Sequence, residues 1–181
     1  MELVTARLRI DALRADDAEA LFALRRDPAV ARYQGWFPAD LAAARAFIDA
    51  QPQPPSHGWF QRAIRLREDG RLIGDLGVNL PEAAGDSVEF GISIAPARQG
   101  LGYAGEAVRA VFDHVFGQLG RHRVHASVDP RNLACMALLH ALGMRQEAHH
   151  RESLWLRDEW VDDVIFALLE HEWRAAQRHR G

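Results

Sequence analysis

Three glycines, Gly100, Gly102 and Gly105, sit in the stretch Gln99-Gly100-Leu101-Gly102-Tyr103-Ala104-Gly105-Glu106-Ala107, between two segments of opposite periodicity. Ahead of them Ser87–Ile94 alternates, with Val88, Phe90, Ile92 and Ile94 on one face and Glu89, Gly91 and Ser93 on the other, which predicts a strand. Behind them Ala107, Val108, Val111, Phe112 and Val115 recur at helical spacing. A strand handing over to a helix through glycines fixes one corner of an α/β fold. Without Cβ atoms the backbone can bring its N–H groups close to a phosphate. The helix adds its own unpaired N–H groups and the positive end of its dipole. The corner is built to cradle a diphosphate.

The remaining elements decide which α/β fold this is. Val4–Ile10 alternates and predicts a first strand. Asp16 with Glu19 predicts an Asp-led capping box for a helix through Leu21 and Leu24, stopped at Asp27-Pro28. A second helix starts at Asp40 and turns Leu41, Ala44, Phe47 and Ile48 inward. The proline-rich run Gln51–Ser56 is a loop. Phe60–Leu66 and Leu72–Leu80 flank the hairpin signal Glu68-Asp69-Gly70, and Pro81–Asp86 turns the chain into Ser87–Ile94. Arg123–Val128 is a fifth strand, Asn132 caps a short helix ended by Gly143, and Met144–His150 and Val161–Leu169 close the chain. The expectation is one α/β domain over residues 1–181. Its mixed, mostly antiparallel central sheet has about seven strands and about four flanking helices, with only one strand–helix–strand crossover.

Composition narrows the function. A net charge of −3 argues against a nucleic-acid partner held by bulk electrostatics. All 22 basic residues are arginine, so no side chain can form a Schiff base. The single cysteine excludes an intrachain disulfide. The N-terminus lacks the apolar core of a signal peptide and no run reaches membrane-spanning length, so cytoplasmic residence without a membrane partner is expected.

Gly100-x-Gly102-x-x-Gly105 fits the dinucleotide fingerprint, and Asp129 ends the next strand where a ribose-binding acid would sit. Against that reading, Ala95–Gln99 separates the glycines from their strand, and the strands before it are hairpins. The other reading is Gln99-x-x-Gly102-x-Ala104, and here the surroundings join in. Thr5-x-Arg7-Leu8, Glu89-Phe90-Gly91, Gly102-Tyr103-Ala104-x-Glu106-Ala107, Asn132-x-x-Cys135 with Gly143-Met144, and Trp160-x-Asp162 with Glu172-Trp173 follow in order. From Val4 to Trp173 the chain resembles the GNAT acetyltransferase superfamily, especially the branch that includes the ribosomal-protein-alanine N-acetyltransferases.

The resemblance implies an acetyl-CoA-dependent N-acetyltransferase that moves an acetyl group to a primary amine, on a protein N-terminus or a small molecule, by direct attack on the thioester. A non-catalytic acyl-CoA-binding sensor domain is the alternative. It implies a coenzyme A diphosphate on the backbone of Gln99, Gly100, Leu101, Gly102, Tyr103, Ala104 and Gly105, and a pantetheine arm along Ile92, Ser93 and Ile94. One N–H near the end of that strand would take an oxyanion-hole role. Glu89 is the candidate base, with a solvated or ion-paired strand residue as its plain alternative. Asn132 is a helix cap that the resemblance also brings to the cofactor. The family's usual tyrosine proton donor falls at Leu139, and Cys135, where the branch has a serine, is the candidate replacement. The first two helices and their loop would wall the acceptor site, where Tyr33, Gln34, Trp36, Phe37, Trp59 and Phe60 gather. Core or dimer packing is the equal alternative for these aromatics. Trp155 and Trp160 would serve the pocket or a homodimer contact. His122 and His125 fall on opposite strand faces, so no metal is expected.

Overall fold

The computed structural model describes residues 1–52, 57–82 and 87–178. Most of the proline-rich loop and of the turn before Ser87 lies outside the described residues. Eight strands form one sheet: β1 (Leu3–Val4), β2 (Leu8–Ala12), β3 (Gly58–Leu66), β4 (Leu72–Leu80), β5 (Val88–Ile94), β6 (Arg123–Val128), β7 (Arg145–Leu156) and β8 (Glu159–Leu169). Their spatial order is β1-β2-β3-β4-β5-β6-β8-β7, and among the described residues only β5 and β6 run parallel. The helices are α1 (Ala18–Arg26), α2 (Pro28–Ala31), α3 (Leu41–Asp49), α4 (Tyr103–Phe112), α5 (Leu133–Ala141) and α6 (Glu170–Arg178). The mixed, mostly antiparallel sheet is the one expected.

The differences have local causes. The expected first strand, Val4–Ile10, is a hairpin: Thr5 N–H donates to Leu8 O at 2.9 Å, and Leu3 pairs with Ile10. Alternation continues through so tight a turn, which is why it reads as one strand. Asp16 caps nothing; Asp17 accepts from the Arg14 N–H at 2.7 Å and seats a 3₁₀ turn ahead of α1. Pro28 ends α1 and also opens α2, capped by Asp27. β7 runs on to Leu156, beyond the expected His150, because its residues are nearly all exposed and carry little alternation. α6 buries only Trp173, too little for a helical period.

The sheet has two unlike faces. On one, Leu8, Ile10, Leu76, Val78 and Phe90 pack under Val108, Val111 and Phe112 of α4, with Leu139 of α5 and Trp173 of α6. Phe112 meets Phe90 and Trp173 edge-on, each at 5.4 Å. On the other, α1 and α3 cover Ala63 of β3 through Leu21 and Ile48. Farther along that face Gly91 of β5 and Ser127 of β6 are exposed, and Glu89 and His125 are half-buried. The α1–α3 layer thus covers one half of the face and leaves the other bare.

Candidate active site

β5 and β6 keep only two parallel rungs, Val88 with Val124 and Glu89 with His125. Beyond them β5 continues on β4 as far as Ile94, and β6 continues on β8 as far as Val128. The strands part like the arms of a V, and the inner edge of β5 loses its strand partner. A cavity of about 750 Å³ opens at the split. Ile92, Ser93 and Ile94 form one wall; Gln99, Gly100, Gly102, Tyr103, Ala104 and Gly105 the next; Asn132 and Cys135 the third; Tyr33 and Gln34 the rim.

The glycine corner has the geometry its sequence predicts. Gly100 and Gly102 lie at φ +74° and +81°, left-handed conformations that disfavour a side chain. Gly102 is the N-cap of α4 and offers no side-chain cap. The first intrahelical bond runs from Glu106 N–H to Gly102 O at 3.1 Å, so the N–H groups of Tyr103, Ala104 and Gly105 have no acceptor within the helix. An uncapped helix start at the floor of a cavity is the donor set a diphosphate takes. Gln99 turns its side chain inward, Nε2 donating to Ile94 O at 2.8 Å, and so ties the loop to the end of β5. Leu101 is exposed and outside the cavity wall.

Across the cavity, Asn132 caps α5 by accepting from the Cys135 N–H at 3.1 Å. Burial pushes the Cys135 thiol up to about 11, so it stays protonated at neutral pH. Leu139 is packed in the core. Asp129 is bound by the Arg131 guanidinium and backbone N–H. Burial pushes its carboxyl upward, and those Arg131 bonds outweigh it, holding the group below the usual range. This occupies the acid that a ribose would need in a dinucleotide site.

The acceptor-side residues divide. Tyr33 spans the rim, its hydroxyl donating to Arg131 O at 3.1 Å, and Gln34 accepts from Arg25 Nη1 at 2.7 Å. Trp36 stacks on Phe47 at 4.1 Å, Phe37 lies under the Arg157 guanidinium at 4.5 Å, and Trp59 is exposed; none of the three lines the cavity. Phe60 is core. Trp155 and Trp160 pack edge-on at 5.3 Å and are both exposed at the end of the β7–β8 hairpin. Glu89 is not a wall residue either; it sits at the closed end of the split, its Oε2 3.8 Å from His125 Nε2. Sequence reasoning missed Arg98, Arg131 and Leu138 as wall residues. Arg131, one position before the Asn132 cap, could have been found from its place at a helix start.

Comparison with known proteins gives the family and the fold. The Acetyltransferase (GNAT) domain family matches residues 7–145. An uncharacterized N-acetyltransferase p20 of Bacillus licheniformis is 29% identical over 173 residues, covering 94% of this chain and 97% of its own. The [Ribosomal protein uS5]-alanine N-acetyltransferase of Escherichia coli is 31% identical over 84 residues, covering 46% of this chain and 43% of its own. The structure of Mycobacterium smegmatis RimJ, in complex with CoA-disulfide, superposes with a TM-score of 0.79 at 24% identity, over 94% of this chain and 90% of that one. The chain belongs to the GNAT acetyltransferase family. It is an N-acetyltransferase, of a family whose acyl donor is acetyl-CoA.

Proposed function

We propose that the chain transfers an acetyl group from acetyl-CoA to a primary amine, carried by a protein N-terminus or a small molecule, and that residues 1–181 act as one catalytic domain. The observation that carries this reading is the split between β5 and β6 opening onto the uncapped start of α4. The relatives named above, one acting on a ribosomal-protein alanine and one bound to a coenzyme A derivative, support it. Acetyl-CoA supplies an activated acyl group and a thiolate leaving group. The backbone of Gln99, Gly100, Leu101, Gly102, Tyr103, Ala104 and Gly105 holds the diphosphate, and the free edge of Ile92, Ser93 and Ile94 takes the pantetheine arm. A backbone N–H near Ile94 polarises the thioester oxygen.

The acceptor approaches from the bare half of the opposite face, where Glu89 and His125 stand and Gly91 leaves room. Tyr33 at the rim serves the acceptor side. Glu89 removes the ammonium proton through water, and Cys135 S–H gives a proton to the departing sulfur. An α-amine, with an ordinary pKa of about 8, needs only modest help. Thiol release from acetyl-CoA, measured against free amino acids, polyamines, aminoglycosides and N-terminal peptides, tests the reading. Turnover is expected with at least one class. Glu89→Gln should lower kcat by about 10²-fold or more. Tight coenzyme A binding without turnover on any amine would overturn the proposal.

A further inference from the structure

Two sequence signatures have no part in the chemistry above. One is Thr5-x-Arg7, in the turn between β1 and β2. The other is Glu106, in the first turn of α4. They lie far apart in the chain and meet in space. Glu106 Oε1 accepts from Thr5 Oγ1 at 2.5 Å and from the Arg7 backbone N–H at 2.8 Å. Its Oε2 accepts from Arg7 Nε at 2.6 Å. Arg7 Nη1 donates to Leu101 O at 2.9 Å, and the guanidinium lies 4.4 Å above the Tyr103 ring. Its Nη2 stands 3.3 Å from the point a Cβ on Gly102 would occupy. One arginine thus grips the loop at Leu101, borders Gly102, covers Tyr103 and binds Glu106.

The electrostatics give the arrangement a purpose. A carboxylate in the first turn favours the helix itself, but it repels any second anion at the same end. Thr5 and Arg7 engage both Glu106 oxygens. Burial pushes this carboxyl up, and the bonds from Thr5 and Arg7 outweigh it, leaving the group ionised and matched. The Arg7 side chain is 47% exposed, and an ion pair so open to water adds little to global stability. Its reach across the loop points instead to local order.

We propose that Arg7 is a positioning residue for the acyl carrier: it cancels the Glu106 charge at the head of α4 and holds the loop at Leu101, so that Gly102 keeps the left-handed conformation that starts α4 at the cavity floor. This rests on the reading that the loop holds a diphosphate. The test is calorimetric titration of the full chain with coenzyme A, at low and at physiological salt, for the wild type, Arg7→Met, Glu106→Gln and the double variant. Arg7→Met should raise Kd about tenfold. Added salt should narrow that gap by screening the uncovered carboxylate. Removing the Glu106 charge in the Arg7→Met background should restore the electrostatic part of the affinity and leave the part lost with the Leu101 contact, whereas a merely structural role would give no recovery at all. In turnover the loss should fall on KM for acetyl-CoA and not on kcat. Arg7→Lys keeps the charge without the Leu101 and Glu106 fork, and should fall between wild type and Arg7→Met; it stands in if the methionine variant does not fold. Wild-type affinity in Arg7→Met, or a double variant no better than Arg7→Met, overturns the proposal. A wild type that does not bind coenzyme A fails the diphosphate reading itself, and this proposal with it.

Discussion

His125 of β6 faces Glu89 of β5 across the last parallel rung before the strands separate, with Nε2 3.8 Å from Oε2 and Nδ1 2.8 Å from the Ser87 hydroxyl. Burial lowers the imidazole pKa below its ordinary 6.5; Glu89 and Glu147 oppose that shift and Arg123 adds to it. A neutral ring is therefore held beside the candidate base at neutral pH. The folded chain binds its proton less readily than the unfolded chain. The associated stability is present above pH 6.5 and is lost as the pH falls below that value toward the depressed pKa. His125→Asn should lessen the fall in Tm between neutral pH and about pH 5.5. His114, also lowered by burial, keeps part of the slope in place. An unchanged slope in the variant would show that His125 carries none of it.

Cys135 should behave as a reluctant nucleophile. With its pKa pushed to about 11, it presents almost no thiolate at neutral pH, so iodoacetamide labelling should be slow and should accelerate only in strong alkali. The same shift keeps the proton on sulfur at neutral pH but makes Cys135 a weaker acid than an ordinary thiol, so the case for it as donor rests on its place in the cavity wall. Cys135→Ala should reduce kcat by about 10²-fold, with Cys135→Ser recovering part of the loss. Unchanged turnover in the alanine variant would remove Cys135 from the mechanism.

Gly102→Ala should weaken both the fold and the site. A side chain at φ +81° costs about 1–2 kcal/mol, and its Cβ would press on Arg7 Nη2. Coenzyme A affinity should fall together with Tm. Gly117→Ala is the matched control, since no atom lies within 4 Å of its Cβ position and its φ is not positive; its Tm should move little. Equal responses of the two variants would mean that the Gly102 conformation is not needed.

What the sequence revealed follows from how local each feature is. The glycine corner, the Asp40 and Asn132 caps and the Glu68-Asp69-Gly70 hairpin are decided within a few residues, and each stands where it was expected. The split of β5 from β6 is a relation between strands with a helix between them, and no local pattern encodes it. Only the resemblance points to Ile92, Ser93 and Ile94, which line the cavity at the split. The grip of Arg7 on Glu106 is illegible for the same reason, although both residues belong to sequence signatures. Trp36, Phe37 and Trp59 show the converse. Aromatic content is visible in a sequence, but the direction of each ring is set by neighbours such as Phe47 and Arg157 that are distant in the chain.

With two rungs as its only stitching, the sheet is in effect a pair of leaves, β1 to β5 and β6 with β8 and β7. Across the seam the hold comes from side chains, Phe112 bracing Phe90 on one leaf and Trp173 beyond the end of the other. A molecule lodged in the slot becomes a splint between leaves that the backbone does not sew together. On the function proposed above, the acyl donor would be that splint, and capturing it would stiffen the sheet.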